Sequence, residues 1–81
     1  MSEEMVKFEG RLALNRSERM QIQTRMQGLV RSLRDLLDPI LPAERLETEM
    51  VSAQALDLAA LQIRYRELLK EAAAIKHVLG R

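Results

Sequence analysis

Apolar residues recur along this chain at alternating steps of three and four, in two long runs separated by a short break. The first run passes through Met5, Phe8, Leu12, Asn15, Arg19, Ile22, Met26, Leu29, Leu33 and Leu36. That is a heptad seam with two polar interruptions, Asn15 and Arg19. Val30 and Leu37 widen the stripe, so residues 22–37 carry the strongest helical signal. The second run is Leu58, Leu61, Tyr65, Leu68, Ala72, Ile75 and Leu79. Nearer the break it drifts through Leu46, Met50 or Val51, and Ala53 or Gln54, as a straight helix does against a strict seven-residue repeat. The pattern predicts two long amphipathic helices, one over about residues 3–37 and one over about 43–79, joined by a turn at 38–42.

The break is Asp38-Pro39-Ile40-Leu41-Pro42. Each proline lacks a backbone N–H and biases the residue before it away from the α region. Two of them, three positions apart, end one helix and start another. Pro42 suits the first turn of the new helix, with Glu44 favoured there by the helix dipole. Ile40 and Leu41 are expected to fold down over the end of the helix pair.

At the other ends, Ser2 can cap the first helix with Glu3 and Glu4 in its first turn. Gly80 follows the second helix as a C-terminal cap, with Lys76 and His77 in the last turn. Gly10 weakens the first third. Asn15 with Glu18 three residues on resembles a capping box. Two readings of that third stay open, one continuous helix or a second start at Asn15 with residues 1–14 as a separate arm.

Helices of about 35 residues are about 50 Å long. Folding at Ile40–Leu41 makes an antiparallel hairpin in which residue i lies near residue 82−i. Leu12 then lies near Leu69, Phe8 near Ala74 and Leu33 near Met50, with Leu29, Leu33, Leu61 and Leu68 as expected core. Asn15 and Arg19 approach Glu67 and Ile63, so Arg19 or Arg16 could pair with Glu67.

Composition agrees with an all-α fold. The 81 residues are rich in Leu, Ala, Glu, Arg and Gln, with one Phe, one Tyr and no Trp. The 13 Lys and Arg nearly balance 12 Asp and Glu, so net charge selects no partner. The absence of cysteine excludes disulfides, thiolate catalysis and cysteine-based zinc sites. No apolar run reaches the roughly 18 residues of a membrane span, and the acidic Met1-Ser2-Glu3-Glu4 start is unlike a signal peptide. The cytoplasm is the expected compartment, with no membrane partner.

Candidate chemistry is sparse. His77 is the sole histidine and has no Glu-x-x-His or His-Glu-x-x-His partner. Gly10, Gly28 and Gly80 are isolated, so there is no phosphate-binding glycine loop. Ser17, Ser32 and Ser52 have no adjacent base. Neither an enzyme, a metal site nor a cofactor is expected.

Two features rise above this background. Leu56, Ala59, Ala60 and Ile63 lie on the face opposite Leu58, Leu61 and Tyr65, while Leu14 and Met20 lie off the first seam. A two-helix core of this size rarely sustains a fold alone. These residues are therefore expected to meet another chain, either a second copy, giving a four-helix bundle by dimerisation, or a heterologous protein. The second feature is charge. Arg11, Arg16, Arg19, Arg25, Arg31 and Arg34 stand against one acid, Glu18, and the segment from Glu44 to Asp57 is acidic. A basic helix can track a nucleic-acid backbone, but these arginines spiral and stacking aromatics are scarce. Pairing between the basic and acidic segments is the simpler reading. The sequence thus predicts a non-enzymatic helical scaffold or interaction module, of accessory or chaperone-like type, with a nucleic-acid-binding helix as the alternative.

Overall fold

Ser2 starts the first helix by accepting a hydrogen bond from the Met5 backbone N–H at 3.2 Å, with Glu3 and Glu4 against the positive end of the dipole. From there α1 runs without interruption over Glu3–Leu36, 34 residues. After the turn, α2 spans Thr48–Val78, 31 residues. The computed structural model describes residues 2–81, and among them there is no β-strand. The two helices pack antiparallel into a rod 63 Å long and about 16 Å across.

Asn15 settles the question of the first third. Its side chain does not cap a second helix. Its Nδ2 donates to the Leu68 carbonyl on α2 at 2.8 Å, and its Oδ1 accepts from Arg19 Nε at 2.8 Å. Residues 3–14 therefore continue α1, because a buried amide finds better partners across the seam than in its own backbone. Arg19 is held by Asn15 and is not the partner of Glu67. That partner is Arg64, at 3.4 Å, while Arg16 points to solvent.

The turn differs from expectation in two respects. Asp38 Oδ1 accepts from the Ile40 N–H at 2.9 Å, and the Asp38 carbonyl accepts from the Leu41 N–H at 3.1 Å. This side-chain turn leaves Ile40 87% exposed, and only Leu41 turns inward. Pro42 then takes extended angles and begins a single 3-10 turn, Ala43–Arg45, instead of the second α-helix. That turn closes with tight i→i+3 bonds, Arg45 N–H to the Pro42 carbonyl and Leu46 N–H to the Ala43 carbonyl. Leu46 and Glu47 step out of helical geometry, and α2 begins at Thr48. At the far end Gly80 has φ 78°, and the Arg81 and Gly80 N–H groups bond back to the Lys76 and His77 carbonyls. This is the glycine cap expected from sequence, since a left-handed residue there suits Gly.

Glu18–Arg64 sits at the expected 82−i register and Asn15–Leu68 within one residue of it, while Gln23–Tyr65 and Glu9–Arg81 reach further along α2. Leu12 packs on Ala72 and Ile75, with Phe8 and Leu79 against them, because Leu69 lies off the α2 seam and is 42% exposed. The deepest core is Leu12, Ile22, Leu68, Ala72 and Ile75 around Asn15. Leu68 belongs to it as expected, but Leu29, Leu33 and Leu61 are only half-buried. Burial is deep where a small residue, Ala72, faces a large one, Leu12, an arrangement that permits close approach of two helices. Towards the turn, large side chains face each other, and Gln54 occupies a seam position with its carbonyl oxygen buried and without a hydrogen-bond partner. Gln54→Leu is expected to stabilise the hairpin by about 1 kcal/mol, read as a higher midpoint in chemical denaturation. A lower midpoint would show that Gln54 has a polar partner the hairpin needs.

Candidate interaction surfaces

With Asn15, Leu68 and the other seam residues facing inward, each helix presents two flanks and an outer face. One flank is ionic. Arg64 forks onto Glu18, with Nε to Oε2 at 2.8 Å and Nη2 to Oε1 at 3.2 Å, and Nη1 reaches Glu67. Along the same edge Arg11 shares a cleft with Glu71, and its guanidinium lies 5.4 Å from the Phe8 ring centre. The same spacing puts Arg25 opposite Asp57. Charge sign alternates along this edge, which fixes the antiparallel alignment. The hydrogen bond to Glu18 raises the Arg64 pKa above its ordinary value, with desolvation opposing. Its stabilisation is therefore complete below the ordinary arginine pKa and is lost only as pH climbs through the raised one. Arg64→Met should lower the thermal midpoint at low ionic strength. The deficit should close near 1 M salt, where the Debye length is about 3 Å; a salt-independent deficit would assign Arg64 a packing role instead.

The arginines considered for nucleic acid are thus unequal. Arg11 sits over Phe8 and beside Glu71, and Arg19 serves Asn15. Arg16, Arg25, Arg31 and Arg34 are exposed, but they do not share one face. Between Gly10 and Gly28 every charge on α1 lies on the seam or its flanks, which the spiral reading of the sequence missed. Placing each charge in the heptad would have revealed it.

The opposite flank is apolar near the turn. Val30, Leu33, Arg34, Leu37 and Leu58 line an open groove of about 430 Å³ between the helices.

The outer faces are the least expected part of the surface. Leu14 and Met20 are 74% and 62% exposed on α1, with Ala13 beside them. On α2, Leu56 and Ile63 are 69% and 59% exposed, with Ala59 and Ala60 between them. Since the two seams face each other, these outer faces point in opposite directions. The six residues singled out from sequence therefore form two surfaces, and one two-fold interface cannot bury both. In α2 the stretch from Met50 to Ile63 has Asp57 as its sole charge. Its other polar residues are Ser52, Gln54 and Gln62, none of them charged.

Among the described residues, no three His, Cys, Asp or Glu side chains gather as a metal ion would require, and no helix is long and apolar enough to cross a membrane. No family model, curated protein or solved structure matches the chain.

Proposed function

We propose that this chain is a non-enzymatic helical interaction module, a small scaffold or chaperone-like accessory protein that works by docking helix faces. The observation that carries this reading is the pair of uncharged outer faces, around Leu14 and Met20 on one side and Leu56 and Ile63 on the other. Exposed apolar surface of this kind on a small hairpin marks a protein contact. A second copy is the first partner, giving a four-helix assembly, and a heterologous protein takes the face left free. The cytoplasm is the compartment that suits a chain with no cysteine and no apolar span.

A photo-crosslinking residue placed at position 14 or at position 56, one at a time, tests the reading in cells. Adducts at one or both positions, with this chain or another protein, are expected. If neither face yields an adduct, while the purified chain is folded, the module reading is wrong.

A further inference from the structure

Every seventh residue on the outer line of α2 is Glu49, Leu56, Ile63 and Lys70, an acid, two apolar residues and a base. All four are exposed, and neither Glu49 nor Lys70 forms an ion pair among the described residues. The pattern is complementary to its own reverse. Laid antiparallel on a second copy and centred between Ala59 and Ala60, the line sets Leu56 against Ile63 and Glu49 against Lys70, twice each. On the flanking lines Ser52 then meets Glu67, and Ala53 meets Arg66, so no like charges oppose. The alanines at the centre let two helix axes approach to about 8 Å.

From this we infer that a second copy of this chain docks antiparallel along the outer face of α2, across a two-fold axis at Ala59–Ala60, with Glu49 of each copy paired to the partner's Lys70. The inference rests on the module reading above and specifies its first partner. The two α2 helices become the inner pair of a four-helix assembly. Leu56, Ala59, Ala60 and Ile63 of both copies are then covered, which accounts for the apolar centre of this line. The outer face of α1, with Leu14 and Met20, stays open on both sides. Residues 49–70 make a strip about 33 Å long and about 10 Å wide. That footprint, about 700 Å² over both copies, is below the roughly 1,200 Å² of a standard interface. A contact of that size belongs with weak, transient interfaces, so the dimer is expected to dissociate on dilution.

Sedimentation equilibrium of the full chain over a dilution series tests the arrangement. Leu56→Glu with Ile63→Glu should abolish the dimer, and Leu14→Glu with Met20→Glu should leave it. Circular dichroism confirms that both variants stay helical. The decisive set is ionic. Glu49→Lys alone and Lys70→Glu alone each create two like-charge contacts and should weaken the dimer about tenfold. The double exchange should restore it to within about threefold, and 1 M salt should erase these differences. Loss of fold cannot mimic that rescue. A dimer insensitive to the single exchanges, a dimer lost with the α1 variant, or a chain monomeric throughout overturns the arrangement. A crosslink from position 56 to a different protein alone would also overturn it, while leaving the module reading in place.

Discussion

Leu68→Ala is expected to remove about 3 kcal/mol, the largest loss from any single side-chain truncation in the hairpin. Leu68 is 1% exposed, the one large side chain wholly enclosed, and its backbone carbonyl is also the acceptor for Asn15. Truncating a buried leucine costs its transfer free energy plus the cavity left behind, about 2–5 kcal/mol. A chain of this length holds roughly 4–12 kcal/mol in total, so the variant loses a large share of its stability. Collapse into the cavity is limited on both sides. Asn15 is fixed by two hydrogen bonds, and Ala72 has no side chain to extend into the space. Leu61→Ala, at a half-buried seam position nearer the turn, should cost clearly less. Urea denaturation followed by circular dichroism compares the two at equal protein concentration. If Leu61→Ala proves the more damaging, the stability of the hairpin resides at the turn end and the core is misplaced.

That contrast also shows what periodicity can and cannot convey. The seam was legible residue by residue. From Phe8 to Leu36, and from Leu58 to Leu79, each position assigned to it is buried or half-buried, including the polar Asn15 and Arg19. Heptad spacing fixes direction around a helix, and direction is all such a pattern encodes. Depth of burial depends on how closely two backbones approach, which is set by pairing across the seam. The turn departs from expectation in its own geometry. Pro42 suits a helix start, but it opens only a 3-10 turn, and α2 begins at Thr48. Leu12 meets Ala72 and Ile75 because they lie on the α2 seam, whereas Leu69 lies off it and is exposed. Leu56, Ile63, Leu14 and Met20 stood out in the sequence because they are apolar off the seam, and all four are exposed. That they split into two opposed faces needed the helices placed side by side.

Asn15→Leu is expected to raise stability while loosening alignment, and this makes it the more informative of the large-effect substitutions. Asn15 is a polar residue at a buried seam position, where an apolar side chain of similar size packs better. The Leu68 carbonyl lies within α2 and keeps its helical acceptor role without the extra donor. Arg19, freed from Asn15, can extend into solvent on its aliphatic stem. The expected gain is about 1 kcal/mol. Asn15→Ala, by contrast, loses the same hydrogen bonds and fills nothing, and should cost about 1–3 kcal/mol. A slip along the seam breaks the Nδ2 bond to the Leu68 carbonyl, and the amide must then find another acceptor or stay unpaired at a cost. A leucine tolerates that slip, as polar seam residues in coiled coils set register at a cost in stability. Asn15→Leu should therefore show a higher denaturation midpoint together with a broader distribution of assembly sizes in sedimentation velocity. If Asn15→Leu is as unstable as Asn15→Ala, the amide holds the hairpin together through its hydrogen bonds alone. If it is more stable and equally uniform in size, the ionic edge of Glu18 and Arg64 suffices to set the register.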